Sequence, residues 1–156
     1  MPVVIDTNVL VIASAGPEAD HERSHVPIKE RLTVLQWLEA FRKDTDATLV
    51  LDRSWLILSE ARGALGQQDF GLQVLLEKML WAEWVDIADL PPELDHAVHD
   101  ADDHKFVQAS LALEPHPPIV NASDTDWLDC EQALEGAGVE VIQLIPKWLR
   151  ASRAAR

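Results

Sequence analysis

The sequence predicts one α/β domain, a three-layer α/β/α sandwich around a mostly parallel central sheet. Three observations carry this expectation. Five short apolar runs rich in β-branched residues are spaced along the chain, stretches of helical apolar periodicity lie between them, and 156 residues at 47% hydrophobic are enough to enclose one core. Strands that alternate with helices build βαβ units, whose crossovers cover both faces of a parallel sheet.

The first strand is "VVI" (residues 3–5), followed by Asp6-Thr7-Asn8 and a return to apolar residues. Residues 14–27, "SAGPEADHERSHVP", are polar and punctuated by proline and read as a mobile loop. "IKERLTVLQWLEAFRK" places Leu32, Leu35, Leu38 and Phe41 on one helical stripe. "TLVL" (48–51) is the second strand, and Glu60 lies in the helix after it, "DRSWLILSEARGAL". "FGLQVLLEKMLWA" is a helix with a broad apolar face, "WVDI" (84–87) the third strand, and Pro91-Pro92 a turn. In "HDADDHKFVQASLAL", Asp100 or Asp102 can cap a helix, Asp103 falls in its first turn, and Phe106, Val107, Ala109, Ser110 and Leu113 form its packing face. "EPHPP" is a further turn, "PIVNA" (118–122) the fourth strand, and a helix from near Asp126 closes at Gly136 and Gly138. "VEVIQL" (139–144) is the fifth strand. The tail from about residue 147, "KWLRASRAAR", gathers Lys147, Arg150, Arg153 and Arg156, which read as a solvated helix end whose cations suit the helix dipole.

A net charge of −14 works against broad attraction to phosphate backbones, so an anionic substrate needs bound cations or a local basic patch. The single cysteine, Cys130, excludes an internal disulfide framework, fits a reducing compartment and reads as a small apolar residue on a helix face. No segment resembles a signal peptide or a membrane span, so the expectation is a soluble cytoplasmic protein with no membrane partner.

In an open parallel sheet the functional crevice lies beyond the carboxyl ends of the strands. Asp6 ends the first strand, while Asp124 and Asp126 follow the fourth; neighbouring strands about 4.8 Å apart would bring Asp6 and Asp124 face to face. Asp103 and Glu60 approach the same end. Taken singly, Asp100, Asp102, Asp124 and Asp126 read as N-caps and Glu60 as a surface partner of an arginine. Asp6 resists such a reading, because it has no obvious partner and an unpaired buried carboxylate is costly. Together these acids repel one another unless they protonate or hold a cation, and an all-oxygen site suits Mg²⁺ or Mn²⁺. His96, His99 and His104 offer a weaker zinc pattern, unaccompanied by cysteine.

Four stretches, "VVIDTNVLV", "SEARGAL", "DADDHKF" and "NASDTDWL", in this order and on these elements, resemble the PIN-domain family; the likeness runs on to "GVEVIQLIPKWL". Members are mostly metal-dependent ribonucleases, many of them toxins of bacterial toxin–antitoxin pairs. The resemblance implies a Mg²⁺- or Mn²⁺-dependent endoribonuclease with Asp6, Glu60, Asp103 and Asp124 as catalytic acids. It makes Asp6, Asp103, Asp124 and Asp126 metal ligands, with Asn8 orienting Asp6. Its implied partners are an RNA substrate, an antitoxin protein and a second copy of the chain. Family members often carry Ser or Thr where this chain has Ala122, which leaves Ser123 or Asn121 to substitute. The alternatives are a PIN-fold RNA-binding or regulatory module with little or no nuclease activity, and a haloacid-type phosphatase, which needs an Asp where Asn8 stands.

Overall fold

The computed structural model describes residues 1–15 and 25–156, so the greater part of the segment expected to be a mobile loop lies outside the described residues. Five parallel strands, β1 (Pro2–Ile5), β2 (Thr48–Asp52), β3 (Glu83–Val85), β4 (Ile119–Asn121) and β5 (Val141–Gln143), form one sheet in the order β3-β2-β1-β4-β5. The helices among the described residues are α1 (Thr7–Ser14), α2 (Ile28–Lys43), α3 (Leu56–Ala64), α4 (Phe70–Met79), α5 (Pro92–Ala97), α6 (His104–Leu111), α7 (Asp126–Gly136) and α8 (Pro146–Ala154). The three-layer α/β/α sandwich expected from the sequence is the fold observed, and its sheet is wholly parallel.

Strand order is what places the site. β1 pairs with β2 on one side (Val3 opposite Leu49) and with β4 on the other (Ile5 opposite Val120). The chain builds outward from β1 in one direction through β2 and β3, then returns to build in the other through β4 and β5. The order therefore reverses at β1, and a crevice opens beyond its carboxyl end.

The strands are short and buried on both faces, as β-branched runs in a covered parallel sheet should be: Val4, Val50, Leu51, Ile119 and Val120 are fully buried. α1 packs on α2 and α4, while α6 lies against β1 and β2. The α1–α4 approach depends on Gly71, where a Cβ would stand 2.7 Å from the Ser14 hydroxyl oxygen that accepts the Gly71 N–H. Gly138, at φ 82°, turns the chain out of α7 toward β5, as a glycine past a helix end does.

Two expectations about core faces need correction. The buried residues of α2 are Val34, Leu38 and Phe41, and Leu32 is half exposed. The stripe follows i, i+4, i+7, which turns Leu32 to the solvent side. α4 stops at Met79, leaving Leu80 and Trp81 exposed instead of extending the apolar face. Cys130 is buried on α7 as expected, and burial pushes its thiol up to about 12. Among the described residues no helix is long and apolar enough to cross a membrane.

Candidate metal centre

Asp6 leaves β1 at the point where the strand order reverses. Its backbone is still extended (φ −66°, ψ 140°), and its carboxylate caps α1 by accepting the Asn8 N–H at 3.3 Å. The other carboxylate oxygen accepts the Trp127 indole N–H at 2.6 Å. Asp6 is 6% exposed, and burial pushes its pKa up to about 6; the Trp127 and Asn8 hydrogen bonds oppose the rise, and the charges of Asp124 and Glu60 add to it. The partner that sequence reading could not supply for Asp6 is thus Trp127, fully buried on α7 and 121 residues away.

Asp103 ends a short 3₁₀ turn, Ala101–Asp103, that leads directly into α6. Asp100 caps this turn by accepting the Asp102 N–H at 2.9 Å, so of the two expected caps Asp100 is the one used. Asp103 is 7% exposed, and its carboxylate has no hydrogen-bond or ion-pair partner among the described residues. Burial, followed by the charges of Asp124, Asp6, Asp100 and Asp126, pushes its pKa up to about 8.

Asp124 is held by the turn after β4. The Asn121 amide donates to the Asp124 carbonyl at 3.0 Å and accepts the Asp124 N–H at 3.2 Å, and one Asp124 carboxylate oxygen accepts the Asp126 N–H at 2.9 Å. The N-cap of α7 is Thr125, without a side-chain cap, so Asp124 is not the helix cap expected; its contact with the Asp126 N–H occupies one oxygen only. Burial raises the Asp124 pKa, and Arg156 acts against the rise. Asp6, Asp103 and Asp124 each offer a carboxylate oxygen, all within 4.8 Å of one another.

A second group shares Asp103: it joins the exposed Asp100 and Asp126 within the same 4.8 Å limit. Asp126 thus stands on the outer side of the centre with Asp100 and outside the inner three. Asn8 does not steer the Asp6 carboxylate with its side chain; only its backbone N–H does so. Its side-chain oxygen accepts the Ala122 and Ser123 N–H groups at 3.0 and 3.1 Å, and its amide donates to Asn121 at 2.9 Å, pinning the β4 turn to α1. Ser123 lines the crevice, whereas Ala122 is fully buried beneath it.

Glu60, on α3, lines the same crevice of about 480 Å³ but stands outside both groups. It accepts the Thr7 hydroxyl and pairs with Lys105 at 3.0 Å, a lysine where a surface arginine was the plain expectation. Lys105 also donates to the Asp102 carbonyl, bracing the turn that carries Asp103. The histidine pattern dissolves: α5 ends at Ala97, so His96 and His99 do not share a helix face, and His104 turns its ring to the Val98 carbonyl at 2.7 Å. Neither candidate ligand group among the described residues contains a histidine.

The donor set fits a hard divalent cation. It offers oxygen alone, several carboxylates share one small volume, and burial first, then the neighbouring carboxylates, raises the Asp6 and Asp103 pKa values, a rise that a bound cation would oppose. Comparison with protein-family models, with curated proteins and with solved structures finds no match.

Proposed function

We propose that this chain is a PIN-type endoribonuclease that hydrolyses RNA phosphodiester bonds with Mg²⁺ or Mn²⁺. The observation that carries the reading is Asp103, a carboxylate 7% exposed and without a partner among the described residues, within 4.8 Å of Asp6 and Asp124 at the switch point of the sheet. An unpaired buried carboxylate is costly, and a bound cation offsets that cost. The four stretches that resemble the PIN family bring their acids to this one crevice, which supports the family reading.

Asp6, Asp103 and Asp124 would hold the cation, with Asp126 and Asp100 on its outer side. When bound, Mg²⁺ or Mn²⁺ supplies neutralising charge for a phosphodiester and acidifies an attacking water. The protein's own groups supply position. Trp127 fixes Asp6, Asn8 and Asn121 fix the turn that presents Asp124 and Ser123, and Glu60, anchored by Lys105, is an acceptor on the crevice wall that orients the Thr7 hydroxyl. The role of toxin, an antitoxin partner, a homodimer and a cytoplasmic location belong to the same proposal and rest on the sequence resemblance.

The test is purified chain with single-stranded RNA and Mn²⁺ or Mg²⁺, beside an EDTA control and Asp103→Asn. Expected are metal-dependent cleavage leaving 5′-phosphate ends, loss of cleavage in the variant, and a melting temperature raised by metal in the wild type alone. A cation at a hundred times its dissociation constant stabilises the folded state by about 2.7 kcal/mol. RNA binding without cleavage under any divalent metal would give preference to the binding-module reading. That reading draws on Glu60, whose engagement with Lys105 keeps it out of the ligand groups.

A further inference from the structure

We propose that α8 seats the RNA backbone, its cations taking phosphates of a single strand that flank the bond in the crevice. The inference rests on the crevice being a phosphodiester site. It begins from a failure of the plain explanation for the basic tail. Cations suit a helix carboxyl end, but α8 begins at Pro146, so Lys147 stands in its first turn, where the dipole opposes it, and only Arg153 lies in the last turn.

The spacing has a geometric consequence. Lys147, Arg150 and Arg153 recur every three residues in α8, so each is turned about 60° from the one before on a helix of 3.6 residues per turn, and Arg156 follows past the helix end. Those three span roughly 9 Å along α8. Leu149, fully buried, anchors the helix, and Lys147 and Arg150 are exposed.

Two contacts set α8 beside the crevice. The Trp148 ring lies 5.5 Å from that of His25, which lines the crevice. At the far end Arg156 donates to the Thr125 hydroxyl at 3.3 Å, in the residue after Asp124, and its charge acts on Asp124 itself. Arg153 is ion-paired with Asp129 on α7. Arg153 and Arg156 are thus engaged by Asp129 and Thr125, while Lys147 and Arg150 have no hydrogen-bond or ion-pair partner among the described residues.

Charge selects the occupant. A cation in the crevice answers only the scissile phosphate; its neighbours on the strand would otherwise meet the exposed Asp100, Asp102 and Asp126. Lys147 and Arg150, two uncommitted cations on a helix beside the crevice in a chain of net charge −14, are the complement those flanking phosphates require. A duplex would press a second backbone against the acidic remainder of the surface, so a single strand is the better fit.

The experiment measures binding of a labelled single-stranded RNA oligonucleotide by fluorescence anisotropy across a KCl series at fixed Mg²⁺. Asp103→Asn serves as background so that the RNA stays whole. Lys147→Ala/Arg150→Ala, both exposed positions, should lower the log–log salt slope by about 1.4, at about 0.7 per lost single-strand contact. Arg156→Ala should lower it by less, because that guanidinium already donates to the Thr125 hydroxyl. In the cleaving chain the double variant should raise KM with kcat nearly unchanged, since flanking contacts act equally in ground and transition states. An unchanged slope and KM would overturn the proposal and leave these cations to solvent or to an acidic protein partner. A wild type that cleaves RNA with its slope insensitive to these variants sinks this inference alone. One that binds through α8 without cleaving sinks the nuclease reading alone.

Discussion

Asp52 and Asp103 are both buried aspartates close to the carboxyl side of the sheet, and they meet the cost of burial in opposite ways. Asp52, fully buried at the end of β2, accepts the N–H groups of Leu56 and Ile57, each at 2.9 Å, and so closes the start of α3. Those two donors let the chain pass through Trp55 in a left-handed conformation, at φ 64°, and enter the helix. Asp103 has no such donors, and its charge is opposed by four other carboxylates. A buried carboxylate whose oxygens are saturated by backbone is a piece of structure. One with no donor and other carboxylates around it is held at a cost that its surroundings do not offset. Asp6 stands between the two, with the Trp127 indole on one oxygen and a long backbone contact on the other.

The largest effect that separates them is on chemistry. Asp103→Asn and Asp6→Asn should each reduce Mn²⁺-dependent RNA cleavage by more than the 10- to 100-fold that loss of a merely supporting partner costs, that is, by at least about 100-fold. Without metal, Asp103→Asn should melt above the wild type, because it removes the cost of holding a proton there that the unfolded chain releases; with Mn²⁺ the order should invert. Differential scanning fluorimetry with and without EDTA measures both. If Asp103→Asn cleaves at wild-type rate, it is not a ligand.

Asp52→Ala should do the reverse. Losing two hydrogen bonds to a carboxylate and leaving two helix-start N–H groups unsatisfied costs about 3 kcal/mol, roughly 6 to 12 °C in melting temperature for a domain of this size. The gain in melting temperature on adding Mn²⁺ should survive. A variant that keeps its stability but loses the metal response would reverse the assignment of the two aspartates.

A pH series sharpens the same contrast. Asp6 at about 6 and Asp103 at about 8 are raised above the ordinary carboxylate value of 3.8, so the folded state holds protons that the unfolded chain has released. Their contribution to stability is complete below about pH 4 and is lost as pH rises through 6 and 8. In EDTA the melting temperature should therefore fall across this window, and Asp103→Asn should flatten the fall where Asp52→Ala does not. Saturating Mn²⁺ should oppose it, because the cation binds the deprotonated acids. An equal slope in all three proteins would show that general charge repulsion, not this cluster, governs the dependence.

Next in size is Trp127→Phe, which deletes the indole donor to Asp6 while keeping most of the buried ring. Removing a hydrogen bond that lowers the Asp6 pKa should raise it further and weaken Mn²⁺ binding about 10-fold, at the mild end of the effect of an outer partner. Isothermal titration with Mn²⁺ reads this directly, and unchanged affinity would reduce Trp127 to a packing residue.

These contrasts mark what the sequence could tell. The strands were legible because β-branched runs between helical stretches have few other uses, and strand order then made Asp6 and Asp124 neighbours. Asp52 and Asp6 both follow apolar strands, and nothing local separates "LVLD" from "VVID". Only the fold shows that one receives two backbone donors and the other a tryptophan from the far end of the chain. Glu60 was legible as an acid near the crevice, but its pairing with Lys105 joins residues 45 apart through packing of α3 on α6, which periodicity cannot encode. Leu32 was misplaced because four apolar residues at three-residue spacing fit a stripe on paper, while α2 buries the one that begins at Val34.

The smallest effect concerns the turn after β4, where the PIN-domain pattern that the sequence resembles would place a hydroxyl and this chain has Ala122. Ala122 is fully buried, and its N–H and that of Ser123 both donate to the Asn8 side-chain oxygen, at 3.0 and 3.1 Å. That shared acceptor fixes which residue of the pair faces the crevice, and it is Ser123 that lines it. A hydroxyl at 122 would enter the core, where burial without a partner costs about 1 kcal/mol or more. Ala122→Ser should therefore lower stability slightly and leave cleavage within about twofold of the wild type. Ser123→Ala should weaken cleavage at limiting Mn²⁺ by up to about 10-fold and converge on the wild type at saturating metal, as loss of an outer hydrogen bond to a ligand or its water would. Cleavage assays over an Mn²⁺ series decide it. A gain from Ala122→Ser with no loss from Ser123→Ala would mean that the turn can re-aim residue 122 into the crevice, and that Asn8 does not hold it as firmly as its three hydrogen bonds imply.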